Sequence, residues 1–332
     1  VHCRRCGWKV EKVPWADDRR SWCTRDFDSM IAYWAQRTNR TAVAQAFRTT
    51  WRSACRCIER VVARLRPKDP LANLTVLGVD EISYRKHHRY LTVVVDLERG
   101  KVVWSREGKS SETLAAFFDE LGEERRKKVT TVAMDMGAAY IKAVTEAIPH
   151  AQIVFDRFHV QQLVNRAVDE VRREEWNRLR KADPEAASAL KGTRWALLKH
   201  EKDLRPNEKL KLAVLQQENK RLYRAYLLKE EFVEIMNRRQ PNKAQELLKA
   251  WLAWAIRSRL PSFLKVARTI QAHWAGIVAY FAHRWTNAVT EGLNTKARLL
   301  TRMAYGFHSA ESAIAMIMLC CTDIDVKLPL KK

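Results

Sequence analysis

Hydrophobic positions along this chain change their spacing twice. From Asp26 they fall at helical intervals: FDSMIAYWAQR carries Phe27, Met30, Ile31 and Trp34 at i, i+3, i+4 and i+7, a single apolar stripe. TNRTAVAQAF continues the theme, with Thr41 as the expected N-cap, and TTWRSACRCIERVVARLR (49–66) is amphipathic and basic. Pro67 and Pro70 then stop the helix and mark a linker. From Leu74 the period becomes extended. LTVLGVDE (74–81), YLTVVVDLE (90–98) and GKVVWSREG (100–108), the last two joined by a turn at Arg99–Gly100, predict a three-stranded antiparallel meander. SSETLAAFFDELG (110–122) predicts a helix capped by Ser110 or Ser111, with Leu114, Phe117, Phe118 and Leu121 facing a core. A strand (129–135), a helix (138–148) and a strand (151–156) follow. From Arg166 to about Arg284 the pattern is charged helix, punctuated by Pro184, Pro206, Pro241 and Pro261 into several pieces. Trp195, Trp251, Trp254 and Trp274 read mostly as core aromatics there, with stacking on an extruded base as the alternative for any one of them.

The order β-β-β-α-β-α-β is that of a ribonuclease-H-like core. The expected fold class is therefore α/β (α+β), with that core interrupted by a large all-helical insertion. The expected division is a partial zinc-ribbon remnant (1–25), a helix-turn-helix domain (26–68), the first part of the core (72–165), the insertion (166–284) and a C-terminal part of the core (285–332). In this topology the first and fourth strands are neighbours, so Asp80 and Asp135, both expected at strand ends, would emerge side by side. Glu291 is a third acid, on a predicted helix (TNAVTEGLNTKARLL) that places Asn287, Glu291 and Asn294 on one side. Carboxylates on rigid elements are what two Mg²⁺ or Mn²⁺ ions need for in-line displacement at a phosphodiester. Any one of these acids alone reads as a capped strand end or a solvated side chain.

Composition sharpens the reading. Hydrophobic residues make up 47% of the 332, so a folded core is expected, while 61 Lys and Arg against 38 Asp and Glu leave a net charge of +23. A pI near 10.0 points to a polyanionic partner, DNA or RNA first, with a basic ribosomal or membrane-surface protein as the alternative. No apolar run approaches the ~20 residues of a membrane span. Without a signal-peptide core the expected location is cytoplasmic, with the nucleoid. Seven unevenly spaced cysteines do not form a secreted disulfide framework. Cys3 and Cys6 make a C-x-x-C knuckle, half of a tetrahedral zinc site, to which Cys23 could add a third ligand. There is no initiator Met, and a start partway through a longer protein is expected. Arg52, Arg56 and Arg60 fall at i, i+4 and i+8, as on a helix that inserts into a DNA groove; the alternative is a small cap with a solvated basic face. Lys296, Arg298 and Arg302 follow Glu291 and would face a DNA backbone. Asp156 and His159 lie three apart at a strand-to-helix junction, where the histidine would contact a phosphate or orient a carboxylate, or simply cap the helix.

GVDE, AMDMGAAYIKAV, FDRFHVQQLVNRAVDEVRR and TNAVTEGLNTKARLLTRMAYGF resemble the DDE transposases of the ISL3 insertion-sequence family. The likeness runs from the cysteine knuckle to Phe307. It implies that Asp80 and Asp135 are the first and second catalytic aspartates and Glu291 the final glutamate. Asp156 and His159 match the D-x-x-H signature seen after the fifth strand in several DDE families. It also implies terminal inverted repeats and target DNA as double-stranded partners, Mg²⁺ or Mn²⁺ as cofactor, and at least a homodimer in a synaptic complex. One departure is that the family's zinc ribbon carries a second cysteine pair upstream of Val1. Two other functions stay open: a retired, transposase-derived DNA-binding protein, and a nuclease that cuts without joining.

Overall fold

The computed structural model describes residues 2–5, 7–8, 15, 23–85, 89–283 and 288–329. They form a mixed α/β protein of two compact units. The first comprises 1–132, 137–151 and 287–332; the second comprises 133–136 and 152–286.

The first unit opens with an antiparallel pair of two-residue strands, β1 (His2–Cys3) and β2 (Gly7–Trp8). Three helices follow, α1 (Arg25–Ala35), α2 (Arg40–Ala46) and α3 (Trp51–Leu65), whose N-caps are Thr24, Asn39 and Thr50. Asn39, not Thr41, caps α2: its Oδ1 accepts from Ala42 N at 2.8 Å. The stripe of α1 also differs from expectation. Asp28, Ile31, Ala32 and Ala35 are buried, whereas Trp34 is 43% exposed. The helix is rotated by about one position because Arg60 draws the Asp28 carboxylate inward, with bonds of 2.7 and 2.6 Å.

The sheet comprises β3 (Val76–Arg85), β4 (Arg89–Asp96), β5 (Lys101–Glu107), β6 (Thr131–Met134) and β7 (Gln152–Phe155), in the order β5-β4-β3-β6-β7. β3, β4 and β5 form the expected antiparallel meander. Gly100, at φ +66, makes the turn between β4 and β5, a conformation open to glycine at no steric cost. Thr130 and Thr131 both donate to Thr75 O, so β6 begins beside the start of β3. Ser110 caps α4 (Ser111–Leu121), and Leu114, Phe117, Phe118 and Leu121 are all buried. After the short α5 (Glu123–Arg126) comes α6 (Ala138–Ala147), which packs on α4.

In the second unit β7 leads into α7 (Arg157–Ala182). Then come α8 (Pro184–Ala189), α9 (Arg194–Leu198), α10 (Pro206–Glu218), α11 (Lys220–Asn237), α12 (Pro241–Arg257), α13 (Pro261–Ala272) and α14 (Trp274–His283). The four prolines noted in the sequence each open a helix, where a missing N–H costs nothing. Trp251 is buried against Phe232 and donates to Leu228 O at 2.8 Å, while Trp195 is 59% exposed and so no core aromatic. α14 lies against β7 so closely that a Cβ on Gly276 would stand 2.5 Å from the Phe155 ring. The buried Glu175 is held by Arg178, Arg221 and Asn219.

The chain returns to the first unit with α15 (Ala288–Met303) and α16 (Ala310–Cys321). α15 packs on β3 and on α16, and α16 packs in turn on α3 and β5.

Candidate active site

Asp80 lies within β3, opposite Val93, and not at the strand end the sequence suggested. The strand runs on because Ile82 and Tyr84 continue to bury their side chains and β4 keeps pairing with it as far as Arg85. Asp80 is half-buried, and both its oxygens are engaged. Oδ1 accepts from the Glu81 backbone N–H at 2.6 Å, and Oδ2 accepts from the Asn294 side-chain amide. Asn294 is 2% exposed on α15, one turn beyond Glu291, which sits half-buried in the helix's first turn. The helix that bears Glu291 is therefore joined to the strand that bears Asp80 by a specific bond as well as by packing. A carboxylate in a first turn is stabilised by the helix dipole. Asn287, expected on the same side, lies outside the described residues.

In the second unit Asp135 follows β6 directly, half-buried, and is followed by Met136 and the Gly137 N-cap of α6. Asp156 is buried and caps α7, with Oδ1 accepting from Phe158 N at 3.1 Å. Its Oδ2 lies 3.0 Å from His159 Nδ1, so one carboxylate both starts the helix and orients the imidazole.

The basic residues divide by what they touch. Arg52 and Arg56 are exposed on α3. Arg60, expected on the same open face, is instead bound bidentately to Asp28 and only 24% exposed, because an acid buried in α1 needs a cation. On α15, Arg298 and Arg302 are exposed, and the Lys296 ammonium donates to the Cys320 carbonyl at the end of α16. Of the knuckle, Cys3 sits in β1 and Cys6 lies outside the described residues. The Asp28–Arg60 pair has no signature in the residue spacing, since nothing there marks an acid beside an apolar stripe as buried.

Residues 77–317 match a family model described as "Transposase", that of the ISL3-type DDE enzymes. The chain is 38% identical, over 350 aligned positions covering 99% of it and 78% of the relative, to the transposase for insertion sequence element IS1557 of Mycobacterium tuberculosis, in strains CDC 1551 and H37Rv alike. It is 30% identical to the transposase for insertion sequence element IS1001 of Bordetella parapertussis, over 93% of this chain and 76% of that one. These matches define a DNA transposase, and the chain belongs to the ISL3 family of DDE insertion-sequence transposases. Such enzymes cleave and join DNA strands and use divalent metal ions. Among the described residues no helix is long and apolar enough to cross a membrane.

Proposed function

We propose that this chain binds the terminal inverted repeats of an insertion sequence and catalyses cleavage and strand transfer with Asp80, Asp135 and Glu291 as metal ligands. The observation that carries the reading is the bond from Asn294 to Asp80, which ties the Glu291 helix to the Asp80 strand. The donor set fits the ion: all three ligands are hard carboxylate oxygens, as Mg²⁺ or Mn²⁺ prefers. When bound, two such ions neutralise charge on the phosphate and activate the attacking oxygen. The chain's own contribution is rigidity. Glu81 N–H and the Asn294 amide both donate to the Asp80 carboxylate and help to fix its orientation. Asp156 holds His159 so that its ring can meet a phosphate, an auxiliary role.

Cleavage adds the oxygen of water to phosphorus and releases a 3′-hydroxyl at the element's end. In joining, that hydroxyl attacks a target phosphodiester. A new P–O bond forms as the target's P–O3′ bond breaks, and the proton lost by the attacking hydroxyl is regained at the leaving 3′ oxygen. The strand order β5-β4-β3-β6-β7 supports a ribonuclease-H-like core (72–165 and 285–332), with 166–284 as its helical insertion. Three short capped helices with Arg52 and Arg56 exposed support a helix-turn-helix over 26–68 that reads the repeat. Arg298 and Arg302 are suited to the DNA backbone. Residues 1–25 are read as part of a zinc ribbon. Two ends must be held together, so the working form is at least a homodimer.

The test is a duplex carrying the element's terminal repeat, incubated with the full chain and Mg²⁺. Wild type should nick at the end, and Asp80→Asn should bind equally and not cut. Cleavage by Asp80→Asn at the wild-type rate would refute the assignment. Binding without cutting by both proteins would mark a retired transposase, and cutting without joining a nuclease.

A further inference from the structure

The first unit holds a cluster of ligand-type side chains that includes none of the three acids. Cys23 immediately precedes the N-cap of α1, Asp28 lies in the first turn of that helix, and Cys57 sits midway along α3. One donor atom from each lies within 4.8 Å of the other two, and the sulfurs of Cys23 and Cys57 are 4.0 Å apart. Cys57 is fully buried and Asp28 nearly so, while Cys23 is half-buried toward solvent. Two thiolates held about 2.3 Å from a tetrahedral zinc ion lie roughly 3.8 Å apart. A disulfide needs about 2.05 Å. At 4.0 Å the Cys57 thiol can donate to Cys23 Sγ, and the same spacing accommodates two ligands around a common centre.

We propose that Cys23, Asp28 and Cys57 form a zinc site that ties the start of α1 to α3, with Arg60 as its outer partner. Charge balance explains how one buried cluster serves both states. Without metal, Arg60 neutralises Asp28 through its two bonds to the carboxylate. Zinc binding releases the two thiol protons. The thiolates then balance the ion's two charges, and Arg60 still balances Asp28. Each Asp28 oxygen has a second lone pair, so the carboxylate can ligate while it accepts from Arg60. Arg60 also reaches Cys57 Sγ at 3.4 Å, the kind of outer contact that steadies a metal-bound thiolate. The site involves neither Cys3 nor Cys6, and does not depend on the transposase reading.

Full-length protein carrying Cys3→Ser and Cys6→Ser removes the N-terminal knuckle from the measurement. Zinc alone is titrated into it, with bound metal, released protons and the thiolate-to-cobalt absorption of the Co²⁺ form as readouts. One zinc per chain, two protons released and a cobalt spectrum of thiolate ligation are expected. Adding Cys23→Ser should lower zinc affinity at least tenfold and weaken the thiolate band. Cys57→Ser should do the same; if that variant does not fold, the half-exposed Cys23→Ser still decides. No zinc bound by the folded knuckle-free protein, undiminished affinity in Cys23→Ser, or a Cys23–Cys57 disulfide in the freshly purified protein would each overturn the proposal.

Discussion

Replacing Asn294 with alanine removes a side-chain donor that, with the Glu81 N–H, fixes the Asp80 carboxylate. The lost bond is to a charged group, for which mutational series give about 1.5–3 kcal/mol. At about 1.4 kcal/mol per factor of ten, losing all of it from metal binding would weaken affinity roughly 10- to 150-fold. Outer-shell partners of metal ligands typically cost 10–100-fold, so the two routes agree. Asn294 is 2% exposed, and the truncation leaves a small void whose cost to folding is about 1 kcal/mol, which the melting temperature reads separately. Mn²⁺ binding to the free protein, followed by paramagnetic resonance or calorimetry, isolates the metal effect from catalysis. Asn294→Ala should shift the Mn²⁺ midpoint upward by at least tenfold while repeat-end DNA still binds. Asn294→Asp should be worse near neutral pH, because it sets a second carboxylate against the first. An unchanged Mn²⁺ midpoint in Asn294→Ala, alongside lost binding in Asp80→Asn, would refute this positioning role and leave the ligand assignment standing.

Other outcomes follow from separate contacts. Arg60→Ala strands the Asp28 carboxylate in the first unit and should cost about 3–5 kcal/mol of stability, measured by denaturant unfolding. Arg52→Ala and Arg56→Ala should each lower the slope of log affinity against log salt by about one, equally for repeat-end and random duplexes where the contact is to phosphate. Gly276→Ala should destabilise the second unit, since its methyl would overlap the Phe155 ring, and a smaller residue at 155 should partly restore it. Glu175 supplies a pH test. Burial opposes its ionisation, but bonds from Arg178 and Asn219 outweigh that and hold the carboxyl below the usual range. Its folded pKa is thus below the unfolded one, so its contribution is present above about pH 4.3 and lost as pH falls through the folded value. Glu175→Gln should therefore flatten the acid limb of the stability profile.

The meander, the α4 core and the family were legible in the sequence because each rests on local pattern. The buried run Leu91, Val93, Val94 and Val95 marks β4 as a strand, and Leu114, Phe117, Phe118 and Leu121 repeat at helical spacing. What was hidden depends on partners far away in the chain. β3 runs past the end that its local pattern suggests, since Ile82 and Tyr84 become strand only when β4 covers them. The α1 stripe was misplaced by one residue because Asp28 is buried only by virtue of Arg60. Trp195 has the composition of a core residue but lies on an open helix face. Asn294 stood on the expected side of its helix, yet its bond to Asp80 spans most of the chain and has no local signature.

Exchanging the Asp80 carboxylate oxygen for sulfur probes whether this residue binds the catalytic metal. Asp80→Cys presents a soft ligand in place of a hard one, which suits Mg²⁺ poorly and thiophilic ions better. With a duplex bearing the element's end, Asp80→Cys should not cleave in Mg²⁺ and should recover measurably in Mn²⁺. Asp80→Ala should stay inactive in both. Equal cleavage by Asp80→Cys and wild type in Mg²⁺, or equal recovery by Asp80→Ala in Mn²⁺, would contradict the assignment.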